Sequence, residues 1–176
     1  MKKLILISAL LIVFVSCKEH EQRYFAESAE TETIKKAVKA YESGDWDTWK
    51  SHFADTAKIY VNSLDGVSVD DRLKVLQGMT GAMSSYGFDR EKEYMEMVLD
   101  KEKETWVYYW ATHKGTFAAT NKELKIPVHI AFQFVDGKVV EEHIYFDATA
   151  MNAEFAAIEA AAKAASEEAS EEEATK

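Results

Sequence analysis

Two strand-forming runs, IPVHIAFQFV (126–135) and KVVEEHIYFD (138–147), are separated by a single Asp136-Gly137 pair. An Asp-Gly pair between such runs is the strongest short-range signal for a two-residue hairpin. It also sets a register. Val135 then pairs with Lys138, Phe134 with Val139, Phe132 with Glu141, Ile130 with His143, Val128 with Tyr145 and Ile126 with Asp147. Directly opposed residues share a face. One face therefore carries Ile126, Val128, Ile130, Phe132, Phe134, Val139, Glu141, His143, Tyr145 and Asp147. This is the more apolar and aromatic face, and it is expected to point inward. A β-bulge would move the register by one residue and exchange the faces beyond it. On the simple register, Asp147 is a carboxylate at a strand end on the buried side. Such a group needs partners or takes a raised pKa, which suits an acid or base. The opposite face carries His129, which is expected to meet solvent.

Two more runs of period two precede the hairpin, YMEMVLD (94–100) and ETWVYYWATHKGTF (104–117). Before them the apolar spacing is helical. Ile34, Val38 and Tyr41 follow an i, i+4, i+7 pattern that Gly44 stops. Asp45 is placed to cap a short helix bearing Trp46, Trp49 and Phe53. AKIYVNS (57–63) reads as a strand, and Val69, Leu73, Leu76, Met79 and Met83 form the stripe of a third helix. The order is helix, helix, strand, helix and then an antiparallel meander. That is an α+β arrangement, with three helices packed on one face of a strongly curved, mainly antiparallel sheet.

The chain begins MKKLILISALLIVFVSCKEHEQ, two lysines before an apolar run that meets Ser16 and Cys17. The run is too short to span a bilayer, which needs about 20 residues, and has the length of a signal-peptide core. A small residue before the sole cysteine resembles the lipobox of bacterial lipoproteins. The resemblance implies cleavage before Cys17, lipidation of Cys17 and tethering in the cell envelope, in the periplasm or at the surface. Residues 17–30 would form a polar tether and residues 31–158 the folded domain. The Ala/Glu-rich stretch 159–176 is expected to be helix fraying into an acidic tail.

The formal charge is −10, and it becomes −12 without Lys2 and Lys3. That balance argues against nucleic acid as a partner and leaves any membrane link to the acyl chains. No dinucleotide or phosphate-loop fingerprint is present, and no cofactor is expected. His113, His129, His143 and Asp147 could ligate a metal, but the simple register places His129 and His143 on opposite faces, so no metal is expected either.

YESGDWDTWKSHFADTAKIYV (41–61), WATHKGTF (110–117) and VDGKVVEEHIYFD (135–147) resemble, in order and spacing, the SnoaL-like polyketide cyclase branch of the NTF2-like superfamily. The resemblance spans about residues 31–158 and implies a cone-shaped fold with a pocket between sheet and helices. It implies an acid/base role for Asp147, a pocket or catalytic place for His113, and a homodimer. Glu142 stands where the family carries histidine. His143, Tyr145 and Trp110 are the further candidates for lining the pocket, and the expected ligand is a small, partly apolar molecule. Two functions fit: a binding domain for such a molecule, or an isomerase or cyclase in which Asp147 takes a proton from a carbon beside a carbonyl.

Overall fold

The computed structural model describes residues 21–174; the signal-peptide segment and the proposed lipidation site at Cys17 lie outside them. Strand β1 is Tyr24–Phe25, followed by helices α1 (Ala29–Ser43) and α2 (Trp46–Ser51). Then come β2 (Phe53–Val61), β3 (Val67–Ser68), α3 (Val69–Gly81), β4 (Met83–Leu99), β5 (Thr105–Phe117), β6 (Glu123–Val135), β7 (Lys138–Phe146) and α4 (Thr149–Ala174). The strands form one sheet in the order β1-β4-β5-β6-β7-β2-β3. Only the β2–β7 pair is parallel; the rest is antiparallel.

Local chemistry explains where the helices begin and end. Ser28 Oγ accepts from Thr31 N at 3.1 Å while Ser28 N donates to Thr31 Oγ1 at 2.9 Å, a reciprocal cap on α1. Such a cap is worth about 1 kcal/mol. Gly44 ends the helix in the left-handed region at φ 68°, which costs glycine little. Asp45 caps α2 through Thr48 N. Ile34, Val38 and Tyr41 are buried, so the helical stripe read from the sequence is the face of α1 that meets the sheet. Leu76 of α3 and Trp49 of α2 complete the helical side of the core, against Ile59, Val107 and Val139 of the sheet, each fully buried.

Part of the stretch read as a tether is built into the fold: Tyr24 and Phe25 pair with Val98 and Met97 of β4. At the other end the helix continues to Ala174. Only its beginning packs. Phe155 meets Phe117 edge-on at 5.0 Å. Glu154, 5% exposed, accepts from Thr120 Oγ1 and Lys122 Nζ, both at 2.6 Å. From residue 159 to residue 170 the helix is exposed.

The hairpin forms as its turn signal requires. Asp136 (φ 50°) and Gly137 (φ 75°) are both left-handed, as the favoured two-residue turn demands. Val135 faces Lys138 and Phe134 faces Val139. The next pair is Gln133 with Glu141, so Val140 is an extra residue in β7. Beyond this bulge Phe132 faces Glu142, Ile130 faces Ile144 and Val128 faces Phe146. The inner assignment of β6 holds. That of β7 reverses after Val140: Glu142, Ile144 and Phe146 point inward, and Glu141, His143, Tyr145 and Asp147 do not. The physical reason is competition for the core. Val139 and Ile144 differ in parity, and both are buried, at 0% and 5% exposure. One extra residue between them satisfies both.

Candidate functional site

A cavity of about 110 Å³ lies between α1, α3 and the inner face of the sheet. Its walls are mostly apolar: Val38 and Leu76 from the helices, Val128, Ile130 and Ile144 from the strands, and aromatic rings such as Phe88 and Phe132. Four polar side chains reach it, Tyr41, Arg72, His113 and Glu142. A small apolar volume with few convergent polar groups is the usual form of a small-molecule site.

Glu142 is the main consequence of the bulge. It is 5% exposed, and its Oε2 is fully buried without a hydrogen-bond partner among the described residues. Burial pushes its carboxyl up to about 7, with the nearby Arg72 guanidinium pulling the other way. The acid is therefore poised between its two forms at neutral pH. Arg72 sits in the first turns of α3 between Val69 and Leu76, on the buried side of the helix. Its Nε is buried with no partner among the described residues, and burial lowers its pKa while Glu142 and Tyr41 oppose that shift.

His113 lies on the inner face of β5 at 9% exposure. A 2.9 Å hydrogen bond joins its Nε2 to the Tyr41 hydroxyl. Burial pushes the imidazole down to about 4, so it is neutral at pH 7. The same burial raises the Tyr41 phenol. This pair is a neutral, hydrogen-bonded polar wall. Phe88 braces it, with its ring edge-on to His113 at 5.3 Å.

The other expected site residues lie elsewhere. Asp147 is exposed just beyond β7, and its Oδ1 accepts from Thr149 N at 2.8 Å. This bond leads the chain into α4 and holds the carboxyl below the ordinary carboxylate range. The inward position expected for Asp147 is corrected by the bulge. His143 is on the outer face, stacked on Tyr60 at 4.5 Å and bonded to Glu141 Oε2 at 3.0 Å. Tyr145 and Trp110 are on that face too, 52% and 40% exposed, and meet His129. None of Asp147, His143, Tyr145 and Trp110 reaches the cavity. His129, expected in solvent, is half-buried among these rings. The separation of His129 from His143 is corrected as well, since the bulge brings both to the outer face. Among the described residues no cluster of three or more His, Cys, Asp or Glu side chains could hold a metal.

Glu142, Arg72 and Tyr41 are thus the polar residues that the sequence reading did not place at the site. Two signals pointed to them. Ile144 and Phe146, the most core-like residues of late β7, share parity with Glu142 rather than Asp147. Arg72 lies three residues after Val69 and four before Leu76, within the apolar stripe of its helix.

A curved sheet covered by helices on one side, with a cavity between them, defines the NTF2-like cone. The model of the SnoaL-like polyketide cyclase family matches residues 31–155, and the chain belongs to that family. No curated protein matches it. Among solved structures it is similar to AclR, a proposed hydroxylase from Streptomyces galilaeus. That pair has a TM-score of 0.57 at 18% identity, over 68% of this chain and 89% of that one. It is also similar to a proposed polyketide cyclase from Xanthomonas campestris pv. campestris, with TM-score 0.58, 15% identity, and 70% and 93% coverage. A third is IdmH, a proposed polyketide cyclase from Streptomyces antibioticus, with TM-score 0.57, 19% identity, and 72% and 98% coverage. At these identities the likeness is one of fold, and fold does not dictate chemistry.

Proposed function

We propose that the domain binds a small, largely apolar molecule in the cavity between α1, α3 and the sheet. The observation that carries this reading is an apolar volume bordered by two buried polar atoms, Glu142 Oε2 and Arg72 Nε, that have no hydrogen-bond partner among the described residues. An unpaired buried polar atom costs about 1–3 kcal/mol, and a ligand's polar end would relieve that cost. The lipobox-like residues before Cys17 support an exported, lipid-tethered form of the domain. The aromatic outer face, with Tyr94, Trp110 and Tyr145 exposed, supports the homodimer that the family resemblance implies.

The test is titration of the full chain with hexan-1-ol, followed by NMR. Binding in the cavity shifts Val128, Ile130 and Leu76 signals and leaves those of Trp110 unmoved. At 100 times Kd the ligand raises stability by about 2.7 kcal/mol. Saturating hexan-1-ol without either effect would overturn the reading.

The buried acid supports a second reading, acid/base chemistry carried by Glu142. As carboxylate it would take a proton from a carbon beside a carbonyl and return it to another carbon, an isomerisation. Neutral donors at the oxygen would hold the enolate charge. Deuterium exchange into a small β,γ-unsaturated ketone is expected with the wild type and with Asp147→Asn, and is expected to fall at least a hundredfold, by about 2.7 kcal/mol, in Glu142→Gln. Equal exchange by Glu142→Gln would remove this reading.

A further inference from the structure

Arg72 is the cation that lines the cavity, and among the described residues it closes no ion pair. Among the described residues its guanidinium donates no hydrogen bond, and no carboxylate comes within the 4.0 Å of an ion pair. Glu142 is close enough for their charges to be felt, yet the two do not close on each other. Both are held by elements that define the walls, Arg72 by α3 and Glu142 by the bulged part of β7. The half-buried Arg72 and the buried Glu142 both line the cavity without closing into an ion pair, and each keeps a buried polar atom with no partner among the described residues. An unpaired buried charge is costly, and an incoming anion removes that cost.

We propose that the natural occupant is a small organic monoanion, a carboxylate on an apolar body of about six carbons, with its head at Arg72 and Glu142. This deepens the cavity reading and rests on it. The volume sets the scale: an apolar cavity of about 150 Å³ encloses a benzene-sized molecule, and this one is about 110 Å³ and opens to solvent, so a six-carbon chain keeps part of its length in the mouth. The single charge follows from the single cation. A guanidinium matches a carboxylate through parallel N–H donors, and a carboxylic acid can donate to the same head. His113 and Tyr41 add polarity without charge.

The charge state of Glu142 gives the site a pH signature. The ionisable groups around it are Arg72 from α3, Tyr41 from α1 and His113 from β5, whereas its strand neighbours are Phe132 of β6 and Ile59 of β2. Below pH 7 Glu142 is protonated and can donate. Above pH 7 it becomes a carboxylate and repels the ligand's head.

The experiment is calorimetric titration of the full chain at pH 6 with hexanoate, hexanamide and hexylamine. Hexanoate is expected to bind at least tenfold tighter than hexanamide, and hexylamine not at all. Raising the pH from 6 to 8 should weaken hexanoate about tenfold and leave hexanamide unchanged. Arg72→Met should erase the preference while hexanamide still binds. Hexanamide binding as tightly as hexanoate in the wild type overturns the anion inference and leaves the cavity reading standing. Failure of all three probes to bind overturns both. The decisive comparison is between ligands on the unmodified protein, so it does not depend on the variant folding.

Discussion

Glu142 and Asp147 are carboxylic acids five residues apart at the end of one strand, and the fold moves their protons in opposite directions. Glu142 is walled in by apolar side chains, and burial raises its pKa. Asp147 stands in solvent, and its bond to Thr149 N lowers its own. Neither residue type nor closeness to a strand end produces this difference. One extra residue, Val140, decides which acid is turned inward. A single bulge in the last strand is enough to exchange which of the two carboxyl groups faces the cavity.

The bulge sends Ile144 and Tyr145 to opposite faces. Ile144 is 5% exposed and Tyr145 is 52% exposed. Ile144→Asp removes a buried aliphatic side chain, at about 2–5 kcal/mol, and adds an unpaired charge. That approaches the whole stability of a typical domain, about 5–15 kcal/mol. Tyr145→Asp is expected to cost far less, about 1 kcal/mol, because half of that side chain is already in water. Urea unfolding of the two variants checks this. Tyr145→Asp proving the more damaging would restore the unbulged register and return Asp147 to the inside.

The next effect sharpens the contrast through pH. Glu142 has a folded pKa above its unfolded value, so the folded state holds the extra proton between about 4.5 and about 7. Stability from this group is greatest at low pH and is lost as pH rises through that window. Glu142→Gln removes the ionisation. The variant should therefore exceed wild type by about 3 kcal/mol at pH 8, at about 1.4 kcal/mol per pKa unit, and by far less at pH 5. Chemical denaturation at the two pH values reads the difference. A variant equally stable relative to wild type at both would mean that Glu142 is not buried as an acid.

Much of this was legible because it is local. The Ile34-Val38-Tyr41 stripe, Gly44, Asp45 and Asp136-Gly137 each act within a few residues, and each stands where the sequence placed it. The alternation of β6 gave its inner face correctly for the same reason. The site was less legible because it depends on long-range decisions. The bulge arises from the demand of Val139 and Ile144 for one core, and a turn-based register carries no knowledge of that demand. Arg72 stands within the apolar stripe of its helix, but which side chains meet its charge is decided only when the sheet packs against that stripe. His113 could be placed inward only by family resemblance, because the segment joining β5 to β6 carries no turn signal that sets its parity.

The smallest effect concerns Asp147 itself. Its side chain closes an Asx turn into α4, and the lowered pKa records how that bond favours the charged form. A depressed carboxylate stabilises the fold above its unfolded pKa and loses that contribution as pH falls through the folded one. Asp147→Ala should therefore lower the melting temperature near neutral pH by less than Glu142→Gln changes it at pH 8. The deficit should shrink as pH drops below the ordinary 3.8. Hexan-1-ol affinity should be unaffected, because Asp147 does not line the cavity. Thermal melts across pH with a parallel titration measure both quantities. If Asp147→Ala abolished cavity binding while leaving stability intact, the exposed acid would be the working group, and the partition drawn by Val140 would fail.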